Sequence, residues 1–445
     1  MPALPPGAIG PLLGGLDAQT FLREYWQKKP LVIRQAVPGF RGFLTLDDML
    51  RLCRRDDIRS RLVTCRRRGA RGPAGARGEN TGSWQVHEGP LDVNVRALGA
   101  GDWTVLVQGV ESVHEGGWPL LQRFSFLPRA RIDDLMVSYA APGGGVGPHY
   151  DLYDVFLLQG FGRRRWRIGR QPNLALESGQ PLKILRAFAP DEEHILEPGD
   201  MLYLPPRVAH EGTALEACTT YSIGFLAPSH EAIISEFLAY LSLTATKPRG
   251  LYADPDQEVV RDPSAVPLRM VDAAEALLAS LRWDKAALAH FLGRMLTGPK
   301  PQTHFSRRRR GGPVAGVLGA RGALRLALPS RMLHDEHGTF FLNGEAFEVD
   351  AADVDWVRRL AQERIVSLPY APAPAMLHLI ESWLEAGFVD VTGPQTPPTA
   401  DPALTSSLGA VDPVPPGPSH RGHGPDRPSR PSRPSRASRP SRRGR

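Results

Sequence analysis

From residue 131 to residue 227 the apolar positions fall in short runs, LMVSYAA, DVFLLQ, RWRIG, DMLYLP and TTYSIGFL, punctuated by Gly and Pro. Runs of this length predict an all-β sandwich or barrel. From about Glu231 the period becomes helical. Ile233, Ile234, Phe237, Leu238 and Leu241 share one stripe, and further helices are predicted at about 267–281 and 284–297. Strands flank Asn343-Gly344, a dipeptide suited to a two-residue hairpin turn, and helices follow near 353–364 and 374–386; together they predict a winged helix. After about Gly393 bulky apolar side chains almost vanish and Arg-Pro-Ser recurs. Such a segment cannot bury enough surface to offset its ordering entropy, so a disordered arm is predicted. The expected organisation is a mainly β unit over 1–228 with an N-terminal extension, a helical region over 229–310, a winged-helix-like α+β unit over 311–393 and a tail over 394–445. The helical region carries more apolar surface than the neighbouring sandwich can cover, which predicts a homodimer.

Composition refines this picture by exclusion. A chain of 445 residues with 42% apolar and 23% charged side chains is not disordered throughout, collagenous or a disulfide scaffold. No apolar run approaches the roughly 18 residues of a membrane span. The N-terminus has no positive charge before Arg23, so no secretory signal is predicted. Cys53, Cys65 and Cys218 are too few and too scattered for a disulfide framework, and a cytoplasmic protein is expected.

The net charge of +7 belongs to the tail. From Arg421 onward nine arginines stand against Asp426, a net of +8, so everything before sums to −1. The tail is therefore a candidate polyanion-binding arm, with RNA or the ribosome as the expected contact. Two more basic stretches, 66–77 and from Arg307, are predicted to be exposed loops.

The candidate chemistry lies in GPHYD at 147–151 and PGDMLYLPPRVAH at 198–210. They offer His149, Asp151 and His210. Two imidazoles and one carboxylate on one face of an Fe(II) ion leave three positions for a cosubstrate and O2. On a strand, residues two apart point the same way, so His149 and Asp151 are expected to share a strand face, with His210 supplied from another strand. The H-x-D pair alone is weak evidence, since His334-Asp335-Glu336 also fits an H-x-[DE] pattern.

The strand from Arg163 to Ile168 sharpens the reading. Trp166 and Ile168 share a face, which is then inward, and alternation puts Arg164 on it. A buried guanidinium keeps its charge and needs a carboxylate. A dicarboxylate that chelates the metal at one end and meets Arg164 at the other, as 2-oxoglutarate would, satisfies that need; an internal pair with Asp200 or Glu197 is the alternative.

The blocks FLREYWQKKPLVIR, RIDDLMVSYAAPGGGVGPHYDLYDVFLLQGFGRRRWRIG, LEPGDMLYLPPRVAHEG and SIGFLAPS are similar to the cupin-fold, JmjC-type ribosomal oxygenases, in particular the bacterial arginine hydroxylases of a large-subunit ribosomal protein. The resemblance covers about four-fifths of the chain. It implies a double-stranded β-helix, a helical dimerisation region and a winged-helix-like domain, with His149, Asp151 and His210 as iron ligands and Arg164 on the distal carboxylate of 2-oxoglutarate. Thr220 stands where relatives carry an asparagine, with Ser222 on the same face, and these two are the candidate further cosubstrate contacts. Arg207 replaces a glycine expected before His210.

Two classes of function follow. The first is an Fe(II)- and 2-oxoglutarate-dependent dioxygenase acting on a ribosomal protein. The resemblance implies an arginine β-carbon as target, and histidyl hydroxylation is the nearest alternative chemistry. Asp133, Asp134, Tyr153 and Asp154 are the nearest lining residues in sequence for a cationic side chain. The second is a nucleic-acid-associated cupin that uses its winged helix and basic arm. Over 331–393, however, four arginines face eleven acids, a net of −7 that repels phosphates.

Overall fold

The computed structural model describes residues 10–67, 82–92, 98, 101–244, 250–306, 323–368 and 372–392. The basic stretch beyond Arg67, the Arg307 stretch and the tail lie outside these residues.

Two antiparallel sheets face each other across the site. The larger has eight strands, in spatial order Leu31–Ile33 (β1), Met201–Leu204 (β9), Asp154–Gln159 (β6), Cys218–Phe225 (β11), Ile132–Ala140 (β5), Trp103–Val107 (β4), Ser60–Arg67 (β2) and Gly82–Glu88 (β3). The smaller has Ala209–Ala214 (β10), Arg164–Gly169 (β7) and Glu192–Leu196 (β8). β6 and β11 are buried on both faces, which is why β6 carries the continuous apolar run Val155–Leu158, while β11 turns the polar Thr220 and Ser222 toward the small sheet.

The outer face of the large sheet carries the main core. Phe156, Tyr203, Tyr221 and Phe225 pack there against Phe21 of Ala18–Glu24 (α1) and against Phe124, which follows Gly117–Gln122 (α3). Phe21 meets Tyr203 with ring centroids 5.0 Å apart, and Phe124 meets Phe156 at 4.9 Å. Asp17 caps α1, and a Thr45/Asp48 capping box starts Leu46–Cys53 (α2). The opposite phase of the same strands faces the small sheet. Register carries one row across it: Leu106, Ser138 and Thr220 are successive partners on β4, β5 and β11.

After the sandwich come helices His230–Thr244 (α4), Leu268–Ala279 (α5) and Lys285–Thr297 (α6). The stripe expected on α4 is split. Phe237 and Leu241 are buried with Phe291 of α6, whereas Ile234 and Leu238 are 60% and 55% exposed, and α5 buries no residue. The last unit holds strands Ala323–Leu326 (β12), Met332–His334 (β13), Phe340–Leu342 (β14), Glu345–Phe347 (β15), Ile365–Ser367 (β16) and Val389–Thr392 (β17) and helices Val354–Glu363 (α7) and Pro374–Ala386 (α8) around Leu324, Phe340, Trp356, Ile380 and Trp383. Its hairpin turns at Asn343-Gly344, both with positive φ, as a two-residue turn requires.

This unit is fastened to the sandwich. Arg364, the C-cap of α7, lays its guanidinium 3.8 Å from the Trp118 ring centroid, and Trp118 Nε1 donates to Leu328 O at 2.7 Å. Arg331 donates to the carbonyls of Ile132 (2.9 Å) and Asp133 on β5.

Candidate metal and cosubstrate site

His149, Asp151 and His210 come together, with one ligand atom from each lying within 4.8 Å of the others. The two histidines are joined through the backbone as an isolated antiparallel bridge, His149 N to His210 O at 2.9 Å and His210 N to His149 O at 2.8 Å. The expected strand for His149 and Asp151 is not formed. Pro148 lacks an N–H and Gly147 holds φ at +76°, so only this one bridge survives before β6 begins at Asp154. Close packing explains the preceding glycines: a Cβ on Gly145 would lie 2.4 Å from the carbonyl oxygen of Gly212 on β10.

The chain itself sets which nitrogen of each imidazole is available. His149 Nδ1 lies 2.9 Å from Gly147 O and His210 Nδ1 lies 2.9 Å from Val208 O. A carbonyl only accepts, so Nδ1 carries the proton and Nε2 keeps its lone pair, the arrangement a metal needs. Burial, reinforced by the neighbouring His149, pulls the His210 pKa down to about 4, which keeps it neutral. Arg207 N donates to Asp151 O at 2.7 Å from a turn in which Arg207 itself has φ +66°. A glycine would take that conformation without strain.

Arg164 lies where alternation predicted, inward on β7 and 4% exposed. Its Nη1 donates to Thr220 Oγ1 at 2.9 Å and Ser138 Oγ at 3.2 Å, and its Nε has no partner. Among the described residues no carboxylate pairs with it. Asp200 is engaged elsewhere, with Arg34 at 2.6 Å and the N–H groups of Gln35 and Glu197, and Glu197 is exposed. A buried guanidinium served by two hydroxyls and, at 5.2 Å, the Trp166 ring is incomplete, and a ligand carboxylate fits it. Thr220 and Ser222 are both buried and both line the same cavity.

That cavity, about 570 Å³, runs between the sheets and touches all three triad residues and Arg164. Its volume falls in the range of small-molecule sites. Of the four lining candidates, Asp133, Asp134 and Tyr153 border it. Asp154 turns away, fully buried, and accepts from Tyr203 OH at 2.7 Å and Gln27 Nε2 at 2.9 Å. The hydroxyl of Ser138 escaped the sequence reading, although it follows Asp134 and Met136 in the same alternating phase of β5. Lys300, whose Nζ lies 2.8 Å from Asp133 and 3.8 Å from Asp134, had no sequence signal at all.

Comparison with known proteins matches residues 119–233 to the JmjC domain and residues 280–389 to the ROXA-like winged helix. The chain is 38% identical over 267 residues to the ribosomal protein uL16 3-hydroxylase of Escherichia coli, covering 60% of this chain and 67% of that protein. It is 38% identical over 223 residues to a probable ribosomal oxygenase of Haemophilus influenzae, where the match spans 52% of the relative. Among solved structures, that of E. coli YcfD superposes with a TM-score of 0.72 at 29% identity, covering 85% of this chain and 98% of that one. A structure of YcfD in complex with cobalt and 2-oxoglutarate gives 0.69 over the same share of this chain.

Proposed function

The chain belongs to the JmjC-type ribosomal oxygenases, and on that premise we propose that it is an Fe(II)- and 2-oxoglutarate-dependent dioxygenase that hydroxylates the β-carbon of an arginine in a large-subunit ribosomal protein. The observation that carries this reading is a single cavity bordered at once by a two-histidine, one-carboxylate cluster, an Arg164 with no carboxylate partner among the described residues, and the acid pair Asp133 and Asp134.

His149 and His210 would hold the iron through Nε2, with Asp151 supplying the carboxylate, and Arg164 would receive the distal carboxylate of 2-oxoglutarate. When bound, the metal and cosubstrate supply oxidation of an unactivated C–H bond by O2. The protein contributes placement. Ser138 and Thr220 hold the Arg164 guanidinium. Asp133 and Asp134 suit a cationic side chain, which favours arginine over the histidyl chemistry named for more distant relatives at 27–28% identity.

The division at about 228, 310 and 393 is part of the same proposal, with the helical region as the dimer contact and the basic tail as an RNA or ribosome contact. A ribosomal substrate makes the cytoplasm the place of work, in keeping with three free cysteines. No helix among the described residues is long and apolar enough to cross a membrane. The test is to incubate intact ribosomal proteins with the protein, Fe(II) and 2-oxoglutarate and to map the gain of one oxygen atom by peptide mass spectrometry. Oxidation at an arginine supports the reading, and oxidation at a histidine instead would replace it.

A further inference from the structure

Asp133 and Asp134 already have a cation. Lys300 follows α6 in the stretch matched to the ROXA-like winged helix, yet its ammonium sits 2.8 Å from Asp133 and 3.8 Å from Asp134 on β5 of the sandwich. It is not part of the cavity wall and reaches the acids from outside, while both carboxylates border the cavity itself. The surroundings explain why a resident cation is needed. Glu111 is buried nearby, its Oε2 accepting from Leu135 N at 2.9 Å, and its only ion-pair partner among the described residues is Arg331 at 3.6 Å. Glu111 thus adds a third acid beside Asp134, behind the wall that Asp133 and Asp134 line. Burial pushes the Asp134 carboxyl up, and Lys300 is the strongest charge that pulls it back.

We propose that Lys300 is an internal stand-in that occupies the acid pair until a substrate cation displaces it, and so sets how tightly the site binds any cationic side chain; the identity of that cation as an arginine rests on the reading given above. The acid pair itself then ranks the arriving cations. An ammonium arriving from a substrate lysine offers the acid pair the same three donors that Lys300 already supplies, and exchange gains nothing. A guanidinium offers a planar fork that meets a carboxylate bidentately, so it alone improves on the resident. The anchor makes the competition effective. Arg331 ties the backbone of Ile132 and Asp133 to the winged-helix unit, so Lys300 and its acids are held on one rigid joint. Because Lys300 is about half exposed, its hold is screened, and a ligand with more hydrogen bonds can dislodge it.

The experiment measures binding of fluorescent peptides by anisotropy. One peptide carries the target arginine, a second has lysine in its place, and a third has citrulline, which keeps the shape but not the charge. They are compared on the full-length protein, on Lys300→Met and on Lys300→Arg. Lys300→Met is expected to tighten both cationic peptides by roughly two- to fivefold, the span of a screened ion pair, with a gain for arginine at least as large as that for lysine and none for citrulline. Lys300→Arg, a stronger competitor, should weaken both cationic peptides. Unchanged or weaker binding of the cationic peptides by Lys300→Met overturns the proposal, and so does an equal gain for citrulline. Binding is read without turnover. Failure of the unaltered protein to oxidise the arginine peptide would therefore sink the functional reading while these affinities still decide the role of Lys300.

Discussion

Arg164 Nη1 donates to Thr220 Oγ1 at 2.9 Å, so that β7 of the small sheet and β11 of the large one are joined across the cavity by a charged side chain. Thr220 passes the contact on weakly to Gln159 Oε1 at 3.4 Å. A guanidinium held at this height is oriented by the two hydroxyls, with no counter-ion among the described residues, and burial lowers its pKa. Arg164→Ala should therefore weaken 2-oxoglutarate by about 1.5–3 kcal/mol, roughly 10- to 150-fold, with metal binding intact. Thr220→Val removes one acceptor and should cost less, about 0.5–1.5 kcal/mol. Titration of 2-oxoglutarate by calorimetry checks both. Unchanged affinity in Arg164→Ala would make that residue a purely structural cation.

The triad gives a sharper expectation. His149→Ala, Asp151→Ala and His210→Ala each remove one donor from a cluster of three, and none of the three side chains belongs to a hydrophobic core cluster. Each variant should lose 2-oxoglutarate turnover while its circular dichroism and melting temperature stay near those of the parent. Turnover near the parent's in any one of them would remove that residue from the metal site.

Parts of this site were legible in the sequence because strand alternation is a local rule. A charge on the inward phase beside Trp166 and Ile168 marked Arg164, and the predicted helices at 267–281 and 284–297 lie within two residues of α5 and α6. The strand expected for His149 failed because Pro148 and the positive φ of Gly147 interrupt the ladder; the imidazole is aimed instead by its Nδ1 contact to Gly147. Ser138 and Lys300 were missed for another reason. Their partners come from strand register and from the docking of a later unit, neither of which leaves a short-range pattern.

The tail leads to a prediction from charge alone. Its +8 from residue 421 onward is concentrated in an arginine-rich stretch, while the winged-helix stretch carries −7. RNA attracts such an arm through counterion release, with an affinity that falls steeply as salt rises. Deleting 394–445 should weaken salt-sensitive association with RNA or ribosomal particles, and should leave hydroxylation of a short substrate peptide intact. Loss of peptide turnover in the truncated protein would make the tail part of the catalytic unit.

The exposed apolar helices call for a partner. On α4 and α5 Ile234, Leu238, Leu243, Leu268, Leu277 and Leu278 are each at least half exposed, with Leu243 at 86% and Leu268 at 73%. Scattered apolar residues on a surface are ordinary, but α5, 12 residues long, buries none of them against the described residues, and a helix of that length is marginal without packing. A second copy laying the same face against it would cover both at once, since a two-fold contact is self-complementary. Leu277→Glu with Leu278→Glu places two charges in that face. The double variant should sediment as a monomer at micromolar concentration where the parent sediments as a dimer, and α5 should lose protection from amide hydrogen exchange. A parent that sediments as a monomer would contradict the two-fold contact, and equal protection of α5 in the two proteins would show that its stability comes from within one chain.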